Sequence, residues 1–183
     1  MIRKKQKDMH FFLNLFMGFL IACTPQLPGE KILFDFETEG ELDRIHWKCF
    51  TLYLLSKDHV TRGNRALRME LYPSNYPGFA SEIDKRNWQG YKAFALDIYN
   101  PERKEILITV RIDDRKNSPE FRDRYNEKFV LEPGKNSILI STDTLRASGT
   151  KRKLDLHHIY KFYLFMVQPK TKHVLYMDNM RLM

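Results

Sequence analysis

In the stretch Ala66-Leu67-Arg68-Met69-Glu70-Leu71-Tyr72, apolar and polar side chains alternate from Leu67 onward. A period of two belongs to a strand with one wet face; in a helix the apolar positions would recur every three or four residues. The pattern sends Leu67, Met69 and Leu71 toward a core and Arg68, Glu70 and Tyr72 toward solvent. The same split returns in residues 94–99, with Phe94, Leu96 and Ile98 inward and Asp97 and Tyr99 outward. In residues 106–113 it puts Ile108, Val110 and Ile112 inward and Thr109, Arg111 and Asp113 outward. If these strands are neighbours, one sheet carries a polar, aromatic-edged outer face of Arg68, Glu70, Tyr72, Asp97, Tyr99, Arg111 and Asp113.

Outward from this stretch, most apolar segments alternate in the same way and end at Gly, Pro, Asn or Asp. The spacing predicts strands over residues 32–37, 47–56, 59–60, 66–72, 94–99, 106–113, 128–131, 137–141, 160–167 and 174–182, with turns such as TRGN, NPERK and EPGKN between several of them. Helix is scarce, LDLHHI offering at most one turn. Short strands without helices bury their apolar faces best as two packed antiparallel sheets, so the expected class is an all-β sandwich.

The one long apolar run lies elsewhere. Arg3, Lys4, Lys5 and Lys7 precede an apolar segment from Phe11, which ends in Leu20-Ile21-Ala22-Cys23. Basic region, apolar region and small residue before a cut follow one another as in an export signal. About a dozen apolar residues fall short of the roughly 20 that span a bilayer core. Leu20-Ile21-Ala22-Cys23 resembles the lipobox of bacterial lipoproteins, which implies cleavage before Cys23 and lipidation of that residue. The expected organisation is then a signal peptide over 1–22, lipidated Cys23 with a tether to residue 31, and a β domain over 32–183. Several acyl chains on one residue satisfy the two-signal requirement for stable anchoring. The expected location is the cell envelope outside the cytoplasmic membrane. Thr24 replaces the Asp of the inner-membrane retention pattern, which favours the outer membrane or the periplasmic face.

Residues 1–22 hold four basic side chains and one acidic, so about +5 of the formal +8 belongs to the rest of the chain. Most of that charge alternates in sign, as in SEIDKRNW and NPERKE. This is the pattern of a solvated face, and nucleic acid is not an expected partner. The chain contains only two cysteines, Cys23 and Cys49, so a lipidated Cys23 leaves no disulfide framework.

The order of the segments FDFE, HVTRGNRALRMEL, NWQGYKAFALDIYNP, ITVRIDD, FVLEPGKNSILI, LDLHHIYKFYLF and VLYMDNMRL resembles a galactose-binding-like jelly roll, the sandwich shared by many carbohydrate-binding modules. The resemblance covers residues 32–183. It implies a non-catalytic domain that binds glycan on one sheet face or in loops at one end. It also implies, for many such modules, a structural calcium where first and last strands meet. Asp178 shares a predicted face with Tyr176, Met180 and Leu182, and a carboxylate among apolar groups needs a partner or a metal. Glu37 and Asp178, with Asp35, are the candidate calcium ligands; pairing with Arg or backbone in a metal-free variant is the alternative.

Glycan binding asks for aromatic faces beside hydrogen-bonding groups. The segment YPSNYPGFASEIDKRNWQGY supplies Tyr72, Tyr76, Phe79, Trp88 and Tyr91; Tyr72 and Tyr76 are the expected exposed members, while Trp88 and Tyr91 can equally cap the core. In RIDDRKNSPEFRDRYNEKF, Arg111 and Asp113 project from a strand and Arg124 or Tyr125 can return to the same face. Such Arg and Asp side chains either grip vicinal hydroxyls or pair with each other. The expected carbohydrate-binding set is therefore Arg68, Glu70, Tyr72, Tyr76, Asp97, Tyr99, Arg111, Asp113 and Tyr125. The histidines show no zinc spacing, and no nucleophile elbow, phosphate loop or glycosidase carboxylate pair is evident. A carbohydrate-binding, non-enzymatic lipoprotein is the expected function, with an assembly subunit of an envelope protein complex as the alternative.

Overall fold

The computed structural model describes residues 29–46, 49–117 and 119–183. The signal segment, Cys23, most of the tether and Trp47 lie outside the described residues. Strands β1 (Lys31–Phe34), β2 (Thr51–Ser56), β3 (Ala66–Leu71), β4 (Gly78–Glu82), β5 (Ala93–Asn100), β6 (Ile106–Asp113), β7 (Tyr125–Leu131), β8 (Gly134–Ser141), β9 (Lys161–Phe165) and β10 (His173–Leu182) form two antiparallel sheets. Among the described residues the helical elements are three short 3-10 segments, none of them at LDLHHI. The protein is an all-β sandwich.

The larger sheet runs β2-β3-β10-β5-β8, with β1 continuing the edge beside the far end of β10. The smaller sheet runs β4-β9-β6-β7. Alternation decides what lies between them. Leu67, Met69 and Leu71 of β3, Phe94, Leu96 and Ile98 of β5, and Ile108, Val110 and Ile112 of β6 are all buried, as their period predicts. Trp88 closes the core by stacking on Phe94, ring centroids 5.3 Å apart, and donates its Nε1–H to the carbonyl of Lys85. Phe79 is likewise fully buried. Both aromatics are thus structural.

Two elements depart from the sequence reading. Residues 59–60 form no strand; they sit in a loop, with His59 at φ 57°. Conversely, β4 falls in a segment that reads as loop. Its first residue, Gly78, explains this: a Cβ there would lie 2.1 Å from the carbonyl oxygen of Leu164, so β4 reaches β9 only because that position lacks a side chain. The backbone of Gly78 also ties the sheets together. Its N–H donates to Oγ1 of Thr51 at 2.8 Å, and its carbonyl accepts from the Tyr53 hydroxyl. Burial in this dry seam pushes the Tyr53 hydroxyl well above the usual tyrosine range.

A bulge in β10 changes which way its side chains face. Asp178 pairs with Asp97 and Arg181 with Ala95, so β10 carries one extra residue there, with Asn179 at φ 52°. Tyr176 and Asp178 consequently face outward, while Met180 and Leu182 face the core. The expectation that all four share one face is corrected by this inserted residue.

Candidate functional site

The candidate calcium ligands meet protein donors. Oδ2 of Asp178 accepts from the backbone N–H groups of Thr61 and Arg62 at 2.7 and 2.8 Å, and Oδ1 accepts from Asn179 N–H at 2.6 Å. Oε1 of Glu37 accepts from Asn64 and Arg65 N–H at 2.7 and 2.9 Å. These bonds hold the Glu37 carboxyl below its usual range, while burial pushes Asp178 up. The TRGN turn therefore aims N–H donors, not carbonyl oxygens, at both carboxylates. Among the described residues no group of three or more His, Cys, Asp or Glu side chains converges as a metal site. Carboxylates occupied by N–H donors do not fit calcium, and Glu37, Asp178 and Asp35 form no cradle for it. Instead Glu37 and Asp178 clasp one turn. Gly63 is required there, with φ +70° and Oε1 of Glu37 lying 2.4 Å from where a Cβ would stand.

The predicted sugar-binding residues divide between the two sheets. Arg68, Glu70, Asp97 and Tyr99 lie on the outer face of the larger sheet, with Tyr72 just beyond the end of β3. That face is satisfied by the chain itself. Glu70 accepts from Lys172 Nζ at 2.6 Å, from the Tyr72 hydroxyl at 2.7 Å and from Arg68. Those three donors, Lys172 foremost, hold its carboxyl down at about 2. Asp97 is pushed up by burial, but Ser137, Asn179 and Arg181 outweigh this and hold it below its usual range. His59 lies flat on Tyr99, centroids 3.5 Å apart, so the 57–62 loop covers the aromatic edge. Tyr72 remains partly exposed.

Arg111 and Asp113 lie on β6, in the other sheet; the premise of a single shared face is corrected by the strand order. Tyr125 is also corrected. It stands opposite Ile112, is buried, and donates its hydroxyl to Glu127. Burial pushes that hydroxyl well above the tyrosine range.

The outer face of the smaller sheet forms a grid. Ala80, Tyr163, Arg111 and Asn126 stand in one row across β4, β9, β6 and β7. Gly78, Phe165, Thr109 and Lys128 make the next row. At the centre, the Arg111 guanidinium stacks on the Tyr163 ring at 4.3 Å and donates Nε–H to Oδ1 of fully buried Asp113 at 2.7 Å.

A cavity lies on each side of Arg111. One, of about 410 Å³, is lined by Arg111, Tyr163, Lys161, Glu82, Ala80, Ser81 and His46. The other, of about 390 Å³, runs from Arg111, Thr109 and Phe165 to Tyr76, Phe121, Arg124, Asn126, Glu127, Lys128 and Val167. Tyr76 packs edge-on against Phe165 at 5.7 Å and stays 45% exposed. Burial and the neighbouring Arg111 cation lower the pKa of the Arg124 guanidinium. The two cavities thus make one broad cleft in which aromatic surfaces alternate with hydrogen-bonding groups. A cleft of this composition can stack a ring face and bind polar substituents beside it.

A larger basic hollow of about 790 Å³ lies on the 115–123 loop. Its arginines are mostly paired internally: Arg152 with Asp114 at 2.6 Å and with Asp123 at 3.0 Å, and Arg115 with Asp123 at 2.8 Å. It lacks the aromatic surface of the cleft.

Of the cleft residues, Tyr76 and Arg111 are sequence-predicted, predicted Asp113 is buried behind Arg111 and lines neither cavity, and Arg124 takes the returning position left open between it and Tyr125. Tyr163, Phe165, Asn126 and Lys128 are new. Their signal is present in the period of β9, where Lys161, Tyr163 and Phe165 alternate with Phe162 and Leu164. Because KFYLF is aromatic on both faces, that period does not say which face is wet.

No protein-family model matches the chain, and no curated protein sequence matches it. Among solved structures, it resembles the family 11 carbohydrate-binding module of Clostridium thermocellum in complex with a β-1,3-1,4-mixed-linked tetrasaccharide. The TM-score is 0.64 at 15% identity, covering 85% of this chain and 95% of that one. An exo-β-agarase gives a TM-score of 0.64 at 13% identity, over 83% of this chain but 25% of the agarase. A family 22 carbohydrate-binding module of Clostridium thermocellum gives 0.50 at 10% identity, over 79% and 88%. The fold is thus the β-sandwich of jelly-roll carbohydrate-binding modules.

Proposed function

We propose that this chain is an exported, lipid-anchored envelope protein whose β-sandwich binds polysaccharide without cleaving it. The cleft across β4, β9, β6 and β7 is the binding surface. The observation that carries this reading is the pair of adjoining cavities around Arg111, walled by Tyr76, Tyr163 and Phe165 beside Thr109, Asn126 and Glu82. Fold likeness to saccharide-binding modules supports it, and Leu20-Ile21-Ala22-Cys23 supports the anchor. Of the two carboxylates that line the cavities, Glu127 receives the Tyr125 hydroxyl and lies in the other cavity from Glu82, across Arg111, which favours binding over turnover by a carboxylate pair. A glycan array probed with the full chain in detergent, with and without calcium, tests the proposal. Retention on a defined polysaccharide, abolished by Tyr76→Ala with Phe165→Ala, is expected; silence across diverse glycans overturns it.

One observation favours a second reading, an assembly subunit with a protein partner. Leu52 and Leu54 alternate on edge strand β2 and are 46% and 42% exposed, with Phe50 at 71% just before them. An exposed apolar edge is a common docking surface. Cross-linking from Leu52 in cells, followed by identification of the captured protein, separates the two readings.

A further inference from the structure

Resting on the saccharide reading, we propose that the bound glycan is anionic and that its charged oxygens seat against Arg124 and Asn126 in the cavity between β6 and β7. The anion is a uronate carboxylate or a sulfate ester, which share the chemistry of two or more oxygens able to accept from a guanidinium.

Two buried donors in one cavity wall lack acceptors. Arg124 Nε and Asn126 Nδ2 are both buried and have no hydrogen-bond partner among the described residues. Among the described residues Arg124 makes a long contact from Nη1 to the Pro119 carbonyl, 3.4 Å, and its guanidinium lies over the Phe121 ring at 5.9 Å, neither of which supplies a counter-charge. Asn126 stands directly across from Arg111, and both side chains line the same cavity. Buried donors are paired in nearly all folded proteins, so two orphans on residues that line one hollow mark a wall with donors to spare for an acceptor.

Charge says which acceptor. Other part-buried arginines are matched within the chain: Arg111 by Asp113, Arg152 by Asp114 and Asp123, and Arg181 by Glu30 and Asp97. Arg124 forms no ion pair within 4.0 Å among the described residues, and Lys128 on the same wall adds a second cation. The cavity's acid, Glu127, receives the Tyr125 hydroxyl. Tyr76, Phe121, Phe165 and Val167 form the apolar walls, and they strengthen any charge interaction formed between them. A hydroxyl of a neutral sugar would satisfy the donors and leave the guanidinium without a counter-charge. A carboxylate or sulfate does both, through charge-assisted bonds of the forked kind that arginine favours.

Calorimetric titration of the full chain in detergent with matched oligosaccharides tests this. Each pair differs in the one group that carries the charge: oligogalacturonate against its methyl ester, and a sulfated galactan oligomer against its desulfated form, with a β-1,3-1,4-glucan tetrasaccharide as neutral reference. At least one charged member should bind about tenfold or more tighter than its neutral twin, the scale of a charge-assisted hydrogen bond. That advantage should shrink as salt is raised and vanish in Arg124→Gln. Preference within the uronate pair assigns the carboxylate, and preference within the sulfate pair assigns the ester. Equal affinity within both pairs, or a preference that survives Arg124→Gln, overturns the inference while leaving the saccharide reading in place. Absence of binding to every oligomer overturns both. The comparison of twins uses the unaltered chain and stands even if the variant does not fold.

Discussion

Arg111 and Asp113, two residues apart on β6, form a two-pronged ion pair, with Nε to Oδ1 at 2.7 Å, on the outer face of the smaller sheet rather than in its interior. Asp113 is fully buried there, roofed by the guanidinium that Tyr163 supports from beneath. The pair fixes the centre of the cleft and separates its two cavities. Asp113→Ala leaves the buried Arg111 cation uncompensated, and a loss of roughly 3–5 kcal/mol in urea unfolding is expected. The double variant Arg111→Met with Asp113→Leu removes both charges and should recover most of that loss while abolishing glycan binding. A double variant no more stable than Asp113→Ala would show that the pair itself, not the orphaned charge, sets the cost.

Gly78→Ala should be destabilising out of proportion to its size. The added methyl would sit 2.1 Å from the Leu164 carbonyl and 2.5 Å from the Cα of Phe165, both backbone atoms that cannot rotate away. Overpacking of this kind costs about 1–3 kcal/mol or more. Because Thr51 and Tyr53 also grip Gly78, the loss should carry the β2–β4 seam with it. Hydrogen exchange comparing residues 78–82 with β5 measures this; protection unchanged in β4 would refute the argument.

Gly78 also marks where the sequence stops being legible. Period two in residues 66–71, 94–99 and 106–113 reports faithfully which side chains enter the core, because each strand separates its two faces on its own, but the outward Glu70, Asp97, Thr109, Arg111 and Asp113 are covered and buried as well. Period two does not report which strands are neighbours. The assignment of Arg111 to the same face as Arg68 failed for that reason: β6 pairs with β7 and β9, through contacts far apart in sequence. The bulge at Asp178 and Asn179 is likewise invisible, since one inserted residue reverses facing without altering composition. Asp178 was legible as a carboxylate needing partners; that they would be Thr61 and Arg62 N–H groups depended on how a turn over a hundred residues earlier folds back.

The turn clasp yields a metal test. Glu37 and Asp178 hold residues 61–65 through N–H donors, so adding calcium or a chelator should leave the melting temperature unchanged. Asp178→Ala orphans the Thr61 and Arg62 N–H groups, and a loss of roughly 1–3 kcal/mol is expected. A rise in melting temperature on adding calcium would mean that the carboxylates turn from the backbone to a cation, against the geometry described.

Glu70 makes the stability of the larger sheet sensitive to acid. Lys172, Tyr72 and Arg68 lower its carboxyl from the ordinary 4.5 to about 2 in the folded protein. A depressed carboxylate contributes stability that is complete above its unfolded value and is lost as the pH falls toward its folded value. Its share should therefore disappear between pH 4.5 and about 2. Glu41 and Asp178, both pushed up by burial, tilt the curve the opposite way, their contributions being largest in acid and fading as the pH rises through their folded values. The total curve mixes these signs, so the informative quantity is the difference between the wild type and Glu70→Gln. Glutamine keeps acceptor and size but cannot titrate. Urea midpoints measured from pH 6 downward should show a gap between the two proteins that is widest at pH 6 and narrows through that window. A gap that stays constant with pH would mean that Lys172 and Arg68 do not hold Glu70 ionised in acid, and the saturated network on that face would have to be redrawn.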